Sequence, residues 1–101
     1  MVKIYLILFN MSLEVDIYMN DIIKFFKDNP NELKLLVPAS EEDLFYTEIR
    51  KIATENVNNG EDPTLTRKQM IDICVRINRN YTAQKSNQIF QNTIYGEICL
   101  N

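Results

Sequence analysis

The chain has 101 residues, enough for one domain with a single hydrophobic core, and its 46% hydrophobic and 25% charged residues are typical of a folded protein. It has no histidine, no glycine-rich phosphate loop and no serine in a nucleophile setting, and its two cysteines match no metal-site spacing. We therefore expect no enzyme activity, no cofactor and no metal. The formal net charge is −3, but it is unevenly distributed along the chain.

The first eighteen residues are predicted to be an N-terminal extension that is either a strand or unstructured. Residues 2–9, VKIYLILF, are rich in β-branched and aromatic side chains, which favours a strand. Met1, Met11 and Met19 are alternative starts. The apolar run is too short to cross a bilayer and no cleavage site follows it, so we expect no membrane association and a cytoplasmic protein.

A single helical domain is predicted over residues 19–101. A helix is predicted between Leu13 and Lys27, with its clearest signal from Asp21 onward, where Asn20 can act as the cap. A second, short helix starts at Asn29 as N-cap with Pro30 in its first turn, and Pro38 ends it.

Two central helices carry the clearest local signals. The first has Ser40 as its predicted N-cap and an apolar stripe of Phe45, Ile49, Ile52 and Ala53. The second starts at Thr66, which forms a capping box with Gln69. Its apolar stripe is Met70, Ile73, Cys74 and Ile77, which makes Cys74 a predicted core residue.

The C-terminal part gives weaker signals. Residues 80–87 are polar and predicted to be a loop, and Ser86 is the predicted cap of one further turn. TIYGEICL is predicted to be an extended tail or a strand, and VKIYLILF is its natural partner if it is a strand. The predicted fold class is therefore mostly α: a small helical bundle of about four helices, with a short two-stranded addition from the termini if both ends are extended.

Two charged surfaces are candidate sites. Acidic residues concentrate between residues 41 and 63 and basic residues after residue 64, so the two regions are expected to neutralise one another within a monomer or across a dimer. The predicted surface for a basic protein partner comprises Glu41, Glu42, Asp43 and Glu48. The alternative is a nucleic-acid-binding face comprising Arg67, Lys68, Arg76, Arg79, Tyr81 and Lys85.

Two features oppose the nucleic-acid alternative. The connection between the central helices is longer than a helix-turn-helix allows, and the helix before it is acidic. Lys68, Asp72 and Arg76 are also spaced to form an ion-pair ladder on a solvated face. The same connection does not make a calcium site: with Gly60 at the sixth loop position, Val57 and Thr66 fall where carboxylates are needed.

The sequence FYTEIRKIATENVNNGEDPTLTRKQMIDICVRIN, with the closing IFQNTIYGEICLN, resembles short uncharacterised proteins of T4-like marine phages. The resemblance covers about residues 19–101. It implies no known activity and assigns no functional residues, and it implies the host bacterial cytoplasm as the location. We predict a small non-enzymatic interaction module that binds a host or phage protein. A homodimer is compatible with this prediction. The alternative is a small nucleic-acid-binding regulator that uses the basic face of helix 66–79.

Overall fold

A computed structural model describes the backbone of residues 2–78 and 82–101 and the side chains of residues 13–78 and 82–101. Within these ranges the chain forms five α-helices: α1 (Val2–Asp28), α2 (Pro30–Leu36), α3 (Glu42–Asn58), α4 (Arg67–Ile77) and α5 (Ala83–Phe90). Two short 3₁₀ helices lie at Ala39–Glu41 and Thr93–Glu97. The predicted fold class, a small and mostly α bundle, is confirmed.

The core lies where α1, α3 and α4 pack together and is closed by the residues after α5. The predicted stripes of the two central helices face it: Phe45, Ile49 and Ala53 are buried on α3. α4 contributes three buried residues, namely Met70, Ile73 and Cys74. Aromatic rings join the helices, since Phe26 of α1 meets Phe45 with ring centroids 5.9 Å apart. Burial of these stripes supplies most of the stability of such short helices.

The capping box of α4 is confirmed and has an additional partner. Thr66 Oγ1 accepts a hydrogen bond from the Gln69 N–H at 3.1 Å, and Gln69 Oε1 accepts one from the Thr66 N–H at 3.0 Å. The Gln69 amide also exchanges two hydrogen bonds with the side chain of Asn56, at 2.9 and 3.1 Å. Asn56 is buried near the end of α3. The cap of α4 therefore also joins the two central helices.

The starts of α2 and α3 differ in detail from the prediction. Pro30 lies in the first turn of α2, as predicted, but the Asn29 side chain donates to the Phe25 carbonyl at 2.9 Å and does not cap α2. Ser40 is not the N-cap of α3, because residues 39–41 form a 3₁₀ helix and α3 begins at Glu42 without a side-chain cap. The prediction missed this turn because a serine followed by acidic residues satisfies the sequence rule for an N-cap. The rule does not distinguish a helix that starts directly after the serine from one that starts after a short 3₁₀ turn.

The N-terminal segment is helical. Residues 2–9, predicted as a strand or unstructured, form the first turns of α1, which continues to Asp28. The strand prediction was wrong because periodicity does not distinguish a short apolar strand from a helix, and no glycine or proline precedes Pro30 to end one. Val15 and Tyr18 are buried, so the core includes residues before position 19, where the helical domain was predicted to begin.

Residues 83–87, which were predicted to be a loop, belong to α5, and the further turn predicted after Ser86 is the C-terminal part of the same helix. Thr82 is its N-cap, with the hydroxyl oxygen accepting from the Lys85 N–H at 3.1 Å. Ser86, the predicted cap, lies inside the helix and is buried. The polar sequence obscured a helix whose apolar contact comes mainly from one residue, Phe90, which packs on Tyr95 with ring centroids 4.5 Å apart.

The predicted pairing of the two termini as strands is also wrong. Thr93–Glu97 forms a 3₁₀ helix, and the chain after it makes one isolated parallel bridge, between Leu100 and Thr66. The Leu100 N–H donates to the Leu65 carbonyl at 2.8 Å, and the Arg67 N–H donates to the Leu100 carbonyl at 2.7 Å. The C-terminal residues therefore pair with the segment that enters α4.

Candidate functional site

The predicted acidic and basic surfaces meet on one side of the bundle. Glu48 of α3 and Arg76 of α4 form a salt bridge, with Oε2 and Nη2 3.1 Å apart, so Arg76 pairs across the bundle rather than with Asp72 along its own helix. Both residues line an open hollow of about 520 Å³, together with Glu41 and the exposed Leu44. At this pair the acidic and basic regions neutralise one another within one copy of the chain.

The other three acidic residues predicted for the partner surface lie at the start of α3. Glu42 and Asp43 occupy its first turn, and Glu41 directly precedes it. Negative charge is favourable at this end of a helix because the backbone dipole is positive there. These carboxylates are thus accounted for by helix formation without a partner.

The predicted basic residues of α4 do not share one face. Arg67 and Arg76 are nine residues apart, which places them on opposite sides of a helix with 3.6 residues per turn. Arg67 lies against the C-terminal segment. Its backbone N–H donates to the Leu100 carbonyl, and the Nε atom of its side chain is buried. Arg67 and Arg76 therefore cannot contact the same stretch of a nucleic acid from α4 alone.

The remaining residues of the predicted nucleic-acid face are distributed over two helices and a segment between them. Lys68 is exposed in the first turn of α4, and Lys85 is exposed in the first turn of α5. Arg79 and Tyr81 lie outside the described residues. The structure thus describes four of the six residues, namely Arg67, Lys68, Arg76 and Lys85.

A more acidic surface runs along α1. Glu14, Asp21 and Asp28 follow one another at intervals of seven residues on this helix, and all three are exposed. They border two neighbouring hollows of about 660 and 260 Å³, both of which include Asp21. The α3–α4 connection and the second 3₁₀ helix supply the other carboxylates. We name this surface the α1 groove and define it by its six carboxylates: Glu14, Asp21, Asp28, Glu61, Asp62 and Glu97.

The charge of the α1 groove is largely uncompensated. Lys24 is the one basic residue that lines either hollow, and no salt bridge reaches the six carboxylates from the described part of the chain. An apolar side chain lies among them: Ile17 is 54% exposed and lines the larger hollow. The surface thus combines strong negative charge with an exposed aliphatic contact.

Tyr18 holds the elements around the groove together. Its hydroxyl donates to the Ile98 carbonyl at 2.7 Å and accepts from the Leu65 N–H at 3.1 Å. Burial raises the pKa of Tyr18 well above its usual value, so the hydroxyl keeps its proton and remains a donor at neutral pH. One buried oxygen atom therefore ties α1 to the start of α4 and to the C-terminal segment.

The α3–α4 connection is shaped locally. Gly60 has φ of 79°, a left-handed conformation that side-chain-bearing residues rarely adopt. The Asp62 carboxylate accepts a hydrogen bond from the Thr64 N–H at 2.8 Å. Hydrogen bonds from the side chain and backbone of Thr64 lower the pKa of Asp62, which keeps this carboxylate ionised at neutral pH. Turn geometry thus places the carboxylates of Glu61 and Asp62 beside α1.

The titratable groups of the interior are not activated. Burial raises the pKa of the Cys74 and Cys99 thiols to about 12, so both remain protonated and weakly nucleophilic at neutral pH. Both cysteines are free. Among the described residues, no three His, Cys, Asp or Glu side chains are arranged to hold a metal ion. The same part of the chain also has no helix that is both long and apolar enough to cross a membrane.

The α1 groove was not predicted from the sequence. Its carboxylates come from three segments that are far apart in sequence, and their approach depends on how α1 packs against the α3–α4 connection. One signal was available, namely the seven-residue spacing of Glu14, Asp21 and Asp28, which places three carboxylates on one face of a helix. That signal required residues 13–28 to be recognised as one continuous helix.

Comparisons with protein-family models, with curated proteins and with solved structures each returned no match. Functional inference for this chain therefore depends on its geometry and charge.

Proposed function

We propose that this protein is a small non-enzymatic interaction module that binds a basic protein partner through the α1 groove. In keeping with the resemblance to phage proteins, the proposed role is that of an accessory factor acting on a host or phage protein in the bacterial cytoplasm. The observation that supports this most directly is the exposed Ile17 in the larger hollow, which is lined by four of the six carboxylates and by no basic residue. Apolar contact with a charged rim is the usual composition of a protein-binding surface.

Uncompensated charge of this kind has a cost. Carboxylates close together repel one another and lower the stability of the folded chain, whereas a partner with basic side chains relieves the repulsion on binding. Complementary charge also accelerates encounter and selects against acidic partners. The net charge of the whole chain is only −3. The concentration of carboxylates on one face is therefore more informative than the net charge.

The α1 groove is a better candidate than the surface comprising Glu41, Glu42, Asp43 and Glu48. In that surface Glu48 is already bonded to Arg76, and the other three carboxylates favour the start of α3. In the α1 groove, Asp62 has a local hydrogen-bond role, while Glu14 and Asp21 have no hydrogen bond or salt bridge within the described chain. The surface comprising Glu41, Glu42, Asp43 and Glu48 therefore serves as a matched control for the α1 groove.

The proposal is tested by affinity capture from a bacterial lysate near physiological salt with three forms of the chain. These are the natural sequence, a groove variant with Asp21→Lys and Glu61→Lys, and a control variant with Glu41→Lys and Asp43→Lys. Each variant reverses two carboxylates, so their net charges are equal. Circular dichroism first checks that both variants fold.

We expect the natural chain and the control variant to recover the same basic proteins and the groove variant to lose them. Equal recovery by all three forms would refute the proposal. Recovery lost only in the control variant would transfer the function to the α3 surface. If the natural chain instead binds nucleic acid in a salt-sensitive manner that Arg67→Glu with Arg76→Glu abolishes, the regulator alternative replaces the interaction module.

A further inference from the structure

We infer that the partner segment received by the α1 groove is a basic amphipathic helix that lies along α1. This inference depends on the proposed function, since it specifies the shape and charge pattern of the segment bound at the same surface. The exposed helix face comprising Ile17 and the carboxylates around it is the docking site. Charge complementarity determines the occupant, because one lysine stands among six carboxylates.

The spacing of the carboxylates matches a helix. Glu14, Asp21 and Asp28 are seven residues apart, so neighbouring carboxylates are separated by about 10 Å along the axis of α1. Their directions drift by about 20° with each interval, because seven residues are slightly short of two full turns. A second helix that crosses α1 at about 20° follows this drift, which is a preferred packing angle. Cations at positions i, i+7 and i+14 of that helix meet one carboxylate each.

An extended segment fits this surface less well. Extended peptides usually bind by adding a strand to the edge of a sheet, which satisfies their backbone groups. The described residues contain no sheet, and their single β-bridge joins Leu100 to Thr66. A helix satisfies its own backbone groups and needs only side-chain contacts from the groove. The all-helical surroundings of the groove therefore favour a helical occupant.

The apolar contact sets the register of that helix. Ile17 lies between Glu14 and Asp21 along α1 and borders the larger hollow, whose opposite side includes Val57 and Pro63. An aliphatic side chain placed three or four residues after the first cation of the occupant reaches this hollow. The occupant is thus defined as a helix with basic residues at heptad spacing and a leucine or isoleucine between the first two.

The inference is tested with two fluorescein-labelled, alanine-rich helical peptides of identical composition. In the first, three lysines are seven residues apart with leucine between the first two. In the second, the lysines are moved off a common face. Fluorescence anisotropy near physiological salt measures the binding of each peptide to the natural chain, to Asp21→Lys and to Asp72→Lys. Asp72 is an exposed carboxylate of α4 outside the groove, so the two variants are matched in charge.

We expect the natural chain and Asp72→Lys to bind the first peptide at least about tenfold more tightly than the second. We expect Asp21→Lys to reduce binding of the first peptide by a similar factor. Equal binding of both peptides, weakened by Asp21→Lys, would overturn the helical inference and leave the proposed function intact. Equal effects of Asp21→Lys and Asp72→Lys would overturn the assignment of the groove as the site.

Two other outcomes are separated by further measurements. If neither peptide binds but lysate capture still depends on the groove, the helical inference alone is wrong. If neither peptide binds and capture does not depend on the groove, the proposed function falls with it. Light scattering of the natural chain and of Asp21→Lys identifies a second copy as occupant if a dimer forms only in the natural chain, and that result would also overturn the inference.

Discussion

Replacing Tyr18 by phenylalanine removes a single oxygen atom that makes two hydrogen bonds. In the natural chain this oxygen donates to the Ile98 carbonyl at 2.7 Å and accepts from the Leu65 N–H at 3.1 Å. Leu65 and Ile98 are buried, so water cannot replace the lost partner without opening the structure. The substitution changes the volume of the core very little. Its effect on stability therefore reports the two hydrogen bonds.

The expected magnitude follows from the cost of unsatisfied groups. A buried donor or acceptor left without a partner costs about 1–3 kcal/mol, compared with a net gain of about 1 kcal/mol for an ordinary hydrogen bond. With one donor and one acceptor orphaned, we expect Tyr18→Phe to lower the free energy of unfolding by about 2–4 kcal/mol. For a domain of this size that corresponds to a decrease in melting temperature of roughly 10–25 °C.

Urea unfolding followed by far-UV circular dichroism measures the difference, and Tyr46→Phe is the matched control. Tyr46 is only partly buried, and no hydrogen bond to its hydroxyl is present in the described chain. We expect the control to change the free energy of unfolding by less than about 0.5 kcal/mol. Equal effects of the two substitutions would refute the argument that the Tyr18 hydroxyl joins three parts of the fold.

Three further predictions concern the helix cap, a surface salt bridge and alkaline pH. Gln69→Ala should lower the free energy of unfolding by about 2–3 kcal/mol, because it removes the side-chain acceptor of the capping box and orphans the buried amide of Asn56; Gln69→Glu, which keeps the acceptor, should cost less in the same urea assay. Arg76→Ala should change it by less than about 1 kcal/mol, since the ion pair is exposed, and a larger loss would contradict that interpretation. Burial raises the pKa of the Cys74 and Cys99 thiols from 9.0 to about 12, so the unfolded chain releases these protons first and stability should fall as the pH rises from 9 towards 12. Urea midpoints measured under reducing conditions should show this fall, and Cys74→Ala should reduce its slope; an unchanged slope would refute the assignment to Cys74.

The sequence predicted the central helices well because their signals are local. The capping box at Thr66 and Gln69 depends on residues three positions apart, and the α3 and α4 stripes need only helical periodicity. The short helix between Pro30 and Pro38 follows from the restrictions that proline places on the backbone. In each case the structure is decided within a few residues.

The features that the sequence did not predict depend on contacts between distant segments. α5 is a helix of polar residues, and its main apolar anchor, Phe90, depends on Tyr95 beyond it. Asn56 could be assigned a partner only once α3 and α4 were placed side by side. The α1 groove likewise requires Asp62 and Glu97 to be brought against α1, which no pattern within either segment indicates.

The bond between Tyr18 and Ile98 has a consequence for how the chain folds during synthesis. It joins residues that are 80 positions apart, so the buried hydroxyl of α1 acquires its acceptor only after nearly all of the described chain has left the ribosome. Until then the apolar faces of α1, α3 and α4 lack the C-terminal residues that cover them, namely Tyr95, Ile98 and Cys99. Nascent chains that contain α1, α3 and α4 but still lack these C-terminal residues are therefore the species most exposed to aggregation or to capture by a chaperone. We therefore expect the core to be completed late, because its C-terminal residues are synthesised last among the described residues.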